Sequence, residues 1–229
     1  DTMEELLSSA IGCMMGRYSL DEPGLIYAHS GNEGFNPSKY ATFPADDDGI
    51  LPITDIDWFD DDLANRVVEF ISVAWSAEHL EENLEFLADN LGRKNNESTR
   101  DAIRRYLSKD FFKKHLQTYK KRPIYWLFSS GKQKAFQCLV YLHRYNEGTL
   151  ARMRTEYLIP LQSKMNARLS HLDDDIAVAS STSQQKKLEK ERTQIKKQQT
   201  ELATFDEKLR HHAHQRISLH LDKRETVNY

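Results

Sequence analysis

Two series of apolar residues at seven-residue spacing constrain the last third of the chain. The series occupy residues 158–172 and 188–209, and their members are Leu158, Met165, Leu172, Leu188, Ile195, Leu202 and Leu209. Apolar residues at this spacing lie along one stripe of a helix. Between the series, residues 178–185 have the sequence VASSTSQQ, which is rich in small polar residues and favours a turn. The pattern predicts two helices folded back on each other as an antiparallel, coiled-coil-like arm over residues 149–216.

Two features qualify the predicted arm. Gly148 and Thr149 mark its start, with Thr149 as the N-cap residue. Pro160 lies inside the first helix, and we expect it to kink that helix or to mark its true start, because proline lacks the N–H that a helix interior requires. The second series has mostly polar residues at its other core positions. We therefore expect the arm to be weak alone and to pack against something else, either in the same chain or in another one.

A β-hairpin is predicted upstream of the arm. Residues 125–128 form a short β-prone run between Pro123 and the turn-forming residues 129–131. Side chains then alternate over residues 136–143, with Phe136, Cys138, Val140 and Leu142 on one face, and this period of two is typical of a strand. The hairpin would turn at residues 129–134. A short helix over residues 134–143 is the alternative, because apolar runs of this length are ambiguous.

Helical periodicity predicts four helices before the hairpin. They span Met3–Met15, which Gly16 ends, then residues 60–75, residues 77–91, and a helix from the N-cap Ser98 to about residue 119. Residues 32–52 are rich in glycine, asparagine and proline and predict an irregular connector.

The elements together predict a mainly α fold, with one β-hairpin and the long antiparallel arm. We divide the chain into an N-terminal helix and connector (residues 1–55), a helical core with the hairpin (56–148), the arm (149–216) and a tail (217–229).

Charge is distributed unevenly along the chain, although the net charge is only −3. Residues 1–99 carry 5 basic and 21 acidic side chains, residues 100–170 carry 16 and 4, and residues 171–229 carry 11 and 10. A strongly basic block of this kind is typical of a surface that contacts phosphate.

The basic block supplies the candidate DNA-binding residues, which would contact phosphates without reading bases. They are Arg104, Arg105, Lys109, Lys113, Lys114, Lys120, Lys121, Arg122, Lys132, Lys134, Arg144, Arg152 and Arg154. Two alternatives remain open: these residues form an ordinary solvated face, or they pair with the acidic N-terminal block inside the fold.

Motifs for other chemistry are incomplete. Ser130-Gly131-Lys132 lacks the upstream glycine and the following Ser or Thr of a phosphate-binding loop. The acidic run at residues 46–48 lacks the spacing of a calcium loop, and His211, His212 and His214 have no cysteine or carboxylate at ligand spacing. We therefore predict no catalytic residues and no metal site.

Membrane and secretory signals are likewise not recognisable. The sequence has no run of eighteen apolar residues, and its first residues, DTMEELL, lack a basic segment. Cys13 and Cys138 lie in apolar runs and are expected to be reduced core thiols. These features predict a cytoplasmic protein with no membrane partner.

Three phrases of the sequence carry a resemblance to a known family. They are AIGCMMGRYSLDEPGLI, RPIYWLFSSGK and AFQCLVYLHRYNEGTLARMRTEYLIPL. In this order they resemble the C-terminal region of PglX, the adenine-specific DNA methyltransferases of bacteriophage exclusion (BREX) systems, whose members are several times longer than this chain. The resemblance implies double-stranded DNA, the N-terminal methyltransferase part and possible further defence proteins as partners. Residues 217–229 depart from the family pattern, and we assign them no function.

The catalytic motifs of an adenine methyltransferase are not found in the chain. Its nine glycines never form Gly-x-Gly, and its six prolines never form Pro-Pro, so neither a cofactor-binding turn nor the loop that holds a flipped adenine is recognisable. The resemblance implies that S-adenosylmethionine binds to the parent protein outside this chain, which is expected to be inactive alone. We expect either a DNA-contacting or scaffolding domain, or a module for protein interaction or oligomerisation.

Overall fold

A computed structural model describes residues 2–28, 34–120 and 122–216. These residues form two compact units, each taken by itself below. The first unit comprises described residues up to 128 together with residues 138–145, and the second comprises residues 129–137 and 146–216. The fold is mainly α, as predicted.

The first helix, α1 (Met3–Met15), has the predicted bounds. The hydroxyl of Thr2 accepts a hydrogen bond from the Glu5 amide at 3.2 Å, and the Glu5 carboxylate accepts one from the Thr2 amide at 2.7 Å. This reciprocal capping box satisfies two amides at the helix start. Gly16 ends the helix in the left-handed conformation, with φ of 83°.

Three predicted helices follow, each shorter than its sequence pattern. They are α2 (Leu63–Ala74), α3 (Leu80–Asn90) and a third that is interrupted, running as α4 (Thr99–Tyr106), a π-helical turn (Leu107–Phe111) and α5 (Phe112–Thr118). Ser98 caps α4 as expected, accepting from the Asp101 amide at 3.1 Å. Asp62 caps α2 in the same way, through the Asn65 amide at 2.9 Å.

Within the described ranges the sheet has three strands, where the sequence predicted two. They are β1 (Ile50–Pro52), β2 (Tyr125–Ser129) and β3 (Gln137–Tyr141), in the order β1-β3-β2. The predicted hairpin, β2 and β3, is confirmed, and the alternative helix over residues 134–143 is wrong. β1 pairs antiparallel with β3, placing Leu51 opposite Leu139, and falls within the predicted irregular connector. Its three residues are all buried, so they show no alternation that would reveal a strand.

One hydrophobic core joins α1, α2, α3, α4 and the sheet in the first unit. Its fully buried side chains include Leu7, Ile11, Met14, Leu51, Leu63, Val67, Leu84, Ile103, Leu139 and Tyr141. Cys13 and Cys138 are buried as well. Burial raises the pKa of the Cys13 thiol to about 11, so this thiol stays protonated near neutral pH.

The second unit contains the antiparallel helices predicted for the arm. They are α6 (Thr149–Met153), a π-helical turn (Arg154–Leu158), α7 (Ile159–Ala177) and α8 (Thr182–Gln215). The direction is visible in the contacts between α7 and α8: Asp173 pairs with Arg192 at 2.9 Å, whereas the earlier Asn166 bonds the later Gln199 at 2.6 Å. Coiled-coil packing in the strict sense stays a prediction.

Pro160 marks the start of α7, within its first turn. Proline cannot donate to the carbonyl four residues earlier, which belongs to Glu156 in the preceding π-helical turn. The wider turn therefore lies next to the proline; helical backbone already begins at Thr149, so Pro160 does not mark the start of the first helix of the arm. Of the seven apolar series residues, all but Leu188 are buried.

Candidate nucleic-acid interface

Five candidate cations are exposed at the end of the interrupted third helix. We name Lys109, Lys113, Lys114, Lys120 and Arg122 the α5 cluster. Residues 107–122 contain one acidic side chain, Asp110. Lys109 and Lys113 are four residues apart and lie on one side of the helix, whereas Lys120 follows the end of α5, with φ of 49°. Lys114 approaches Glu4 at 3.4 Å, a pair exposed enough to be weak.

The opposite side of α5 is anchored by His115, a residue that the sequence analysis missed. Its side chain is buried, and its Nε2 atom accepts from the Ile124 amide at 3.2 Å. The ring lies 4.7 Å from the Tyr119 ring and 4.8 Å from the Tyr125 ring. Burial lowers the pKa of His115 to about 4, so it is neutral at pH 7. The spacing of Phe111, His115 and Tyr119, four residues each, is the signal that would have indicated this buried face.

Arg104 has its donors directed into the protein. Its guanidinium bonds the carboxylate of Asp62, which is fully buried, and also the Thr54 carbonyl at 3.2 Å. Asp57 lies 3.6 Å away. Burial raises the pKa of Asp62, and the hydrogen bond from Arg104 opposes that rise.

Arg105 is held in the same manner by Glu97, with two hydrogen bonds of 2.7 and 2.9 Å and a third to the Gly92 carbonyl at 2.9 Å. Those hydrogen bonds lower the pKa of Glu97 to about 2.

Two further candidate arginines are also engaged within the fold. The Arg144 guanidinium lies 3.7 Å over the centre of the Phe35 ring and donates to the Asp47 carbonyl at 2.8 Å. Arg154 pairs with Asp206 through bonds of 2.7 and 3.3 Å.

The hydrogen-bond partners of Arg104 and Arg105 described above all come from residues 1–99. This is the arrangement expected if basic residues pair with the acidic N-terminal block inside the fold.

The remaining candidates are placed as follows. Arg152 is exposed and bonds Glu156 one turn later at 3.0 Å. Lys132 is exposed and Lys134 half-buried, both in the loop between β2 and β3. Lys121 lies outside the described residues.

The loop between β2 and β3, residues 129–137, binds the side-chain carboxylate of Glu201 in α8. The carboxylate of Glu201 in α8 accepts from the Ser130 hydroxyl at 2.6 Å, the Gln133 amide at 2.6 Å and the Ala135 amide at 3.2 Å. Gly131 has φ of 137°, and a Cβ there would lie 3.1 Å from a Glu201 carboxylate oxygen. Ser130, Gln133 and Ala135 therefore hold a carboxylate, and the loop contacts α8 through it.

The acidic run at residues 46–48 forms a turn. The Asp46 carboxylate accepts from the amides of Asp48 and Gly49 at 3.1 and 2.9 Å. Burial and the neighbouring Asp48 carboxyl raise the pKa of Asp46 to about 8.

Among the described residues no three His, Cys, Asp or Glu side chains are grouped to hold a metal ion. In the same part of the chain, no helix has the length and apolar character needed to span a membrane.

Comparison with known proteins supports the family resemblance. No protein-family model matches the chain. It is 53% identical over 238 residues to the adenine-specific methyltransferase BrxX of Escherichia coli O9:H4 (strain HS), an alignment covering 100% of this chain and 20% of that protein. It is 45% identical over 230 residues to the adenine-specific methyltransferase PglX of Lacticaseibacillus casei (strain Zhang), covering 99% and 19%. The chain thus spans about one fifth of the length of these relatives, and the resemblance to PglX is confirmed.

Proposed function

We propose that this chain, a PglX-like segment matching about one fifth of adenine-specific methyltransferases, is a DNA-contacting or scaffolding domain without catalysis of its own. In the parent protein it would lie C-terminal to the methyltransferase part. That part would transfer a methyl group to adenine N6 at a specific site, in the cytoplasm, as one component of a phage-defence system.

The similarity along the whole chain carries the proposal, and the α5 cluster supports the DNA-contacting role. Its residues Lys109, Lys113 and Lys114 project from one interrupted helix whose other face is anchored by the buried, neutral His115. Such cations bind the phosphate backbone and release counterions, which positions a duplex without reading its sequence. Arg104, Arg105, Arg144 and Arg154 serve first as fold-stabilising residues, because their donors already have carboxylate or carbonyl acceptors.

No sequence motif for binding S-adenosylmethionine is recognisable in this chain. Without a Gly-x-Gly turn there is no recognisable close approach of backbone to the cofactor, and without Pro-Pro there is no adenine loop. The cofactor would therefore bind in the N-terminal methyltransferase part, which this segment would contact.

Salt-dependent DNA binding tests the proposal. Fluorescence anisotropy of the full chain with a labelled duplex of about 30 bp should show log affinity falling linearly with log salt. The variant Lys109→Gln/Lys113→Gln should reduce the slope by about 1.8, since each lost phosphate contact contributes about 0.9. The control Lys39→Gln/Lys94→Gln removes the same charge from exposed positions elsewhere in the first unit and should leave the slope unchanged. Absence of wild-type binding at low salt would refute the DNA-contacting role.

Exposed apolar side chains favour a second candidate function, a protein-interaction or oligomerisation module. Val73 and Trp75 at the end of α2 are 43% and 40% exposed, and Phe86 in α3 is 57% exposed. Aromatic side chains are enriched at protein interfaces. The variant Trp75→Ser/Phe86→Ser should then weaken association with the separately supplied methyltransferase part or with another defence protein, measured by calorimetry. If association is unchanged in the variant, the exposed surface around Trp75 and Phe86 is not the site of protein interaction.

A further inference from the structure

The longest helix, α8, has one side that neither α7 nor the loop at residues 129–137 covers. Successive residues of a helix are rotated by about 100°. Ile195, Leu202 and Leu209 are buried on one side, next to positions that pair with α7, such as Arg192. Glu201, which holds the loop, lies on a second side.

The remaining side is a stripe of lysine and threonine. Between positions 186 and 208, the residues within about 40° of the direction opposite Ile195 are Lys186, Lys190, Thr193, Lys197, Thr200, Thr204 and Lys208. All seven are exposed, and we name them the α8 stripe. It contains no acidic residue, whereas acidic side chains occur elsewhere on α8. Glu189 and Glu207 border the stripe on one side, and Lys196 lies beside them.

The threonines place short, uncharged side chains between the lysines of the stripe. The hydroxyl of Thr193 donates to the Glu189 carbonyl at 2.9 Å, that of Thr200 to the Lys196 carbonyl at 3.2 Å, and that of Thr204 to the Thr200 carbonyl at 3.3 Å. These hydroxyls bond their own helix, and the short side chains let a partner approach the helix closely. The flexible lysines then reach outward.

We propose that the α8 stripe is a second contact surface for the phosphate backbone of duplex DNA, which rests on the proposed DNA-contacting function and extends it. From Lys186 to Lys208 the stripe is about 33 Å long, since a helix rises 1.5 Å per residue. One turn of B-form DNA repeats after about 34–36 Å. A straight helix of this length can therefore meet phosphates at both ends and at Lys197 between them.

The chemistry of the stripe favours a nucleic acid over a protein partner. Protein interfaces are enriched in aromatic residues, methionine and arginine and depleted of lysine. The stripe has no aromatic residue, methionine or arginine. Lysine, by contrast, is a common donor to phosphate oxygens.

Two charge-matched variants on the same helix test the stripe. Lys190→Gln/Lys197→Gln removes two stripe charges, and Lys187→Gln/Lys196→Gln removes two exposed charges about 80–100° away from its centre. Glutamine and lysine have similar helix propensity, so both variants should keep the helical circular-dichroism signal. In the salt series with the full chain and duplex DNA, the stripe variant should lower the slope by about 1.8 and the control should leave it unchanged.

The outcomes distinguish a failure of this inference from a failure of the proposed function. If the stripe variant binds like wild type while Lys109→Gln/Lys113→Gln weakens binding, the stripe is not a DNA surface but the function stands. If both α8 variants lower the salt slope equally, DNA is attracted by the overall charge of α8. The α8 stripe is then not a specific contact surface, and the inference is wrong. If the stripe variant keeps DNA affinity but loses affinity for polyglutamate, the partner is an acidic protein and the inference is wrong. No binding by wild type would overturn both proposals.

Discussion

Replacing Arg104 with methionine should lower the free energy of unfolding of the first unit, because the carboxylate of Asp62 would remain buried without the cation that pairs with it. The Asp62 side chain is fully buried and that of Arg104 is 12% exposed. Removing one partner of a buried ion pair costs about 3–5 kcal/mol, since the remaining charge stays desolvated. Urea denaturation of Arg104→Met should therefore show a free energy of unfolding lower by about this amount.

The pH dependence of that loss identifies its cause. Burial already raises the pKa of Asp62, and loss of Arg104 should raise it further. A carboxyl with a raised folded pKa binds its proton more tightly in the folded state, so stability falls as pH rises from about 4, the unfolded pKa, through the folded pKa. The loss in Arg104→Met should thus be smaller at pH 5 than at pH 8.

Two control variants make the test specific. Arg104→Met/Asp62→Asn should recover at least about 1 kcal/mol of the loss, because asparagine is neutral and still caps α2. Arg100→Met breaks the exposed pair with Glu81 and should change stability little. A loss below about 1 kcal/mol in Arg104→Met, or one that does not vary with pH, would refute the structural role assigned to Arg104.

Other perturbations give further checks. Glu201→Ala should lower the free energy of unfolding by about 2 kcal/mol, because three donors of the loop lose their acceptor. The same variant should speed exchange of the Gln133 amide in hydrogen-exchange experiments. Slow exchange in the variant would argue against the hydrogen bonds between the loop and Glu201. Gly131→Ala should destabilise the same loop by about 1 kcal/mol in urea titrations, since its φ of 137° is unfavourable for alanine, and a neutral effect would contradict this. The folded pKa of His115 is lowered to about 4, so the stability that this neutral side chain contributes above pH 6.5 should be lost as pH drops towards 4. His115→Phe should remove this pH dependence of the free energy of unfolding. If the dependence persists in the variant, another titrating group causes it.

Local signals in the sequence predicted most of the helices. Ser98 and Gly16 act as the caps that their residue types suggest, because capping depends on neighbours within four residues. The hairpin followed from alternation over residues 136–143. β1 was missed, since a three-residue strand has no period and is fixed by its pairing with β3. The π-helical turns have no distinct sequence period either.

The candidate site was harder to predict because exposure depends on distant partners. Arg104 and Lys109 belong to the same basic block, yet Arg104 bonds Asp62, 42 positions earlier, and Lys109 is exposed. The α8 stripe was missed for a related reason: residues 171–229 are nearly neutral in total, and only their positions around the helix separate basic from acidic sides. Total charge of a segment therefore says little about where a basic surface lies.

Methylation kinetics of the full-length parent protein test most directly whether this segment contacts DNA without taking part in catalysis. The measurement compares wild type with Lys109→Gln/Lys113→Gln, using S-adenosylmethionine and duplex DNA. We predict a higher KM for DNA and an unchanged kcat, because only binding contacts are lost. A lower kcat with an unchanged KM, or methyl transfer by this chain alone, would contradict it.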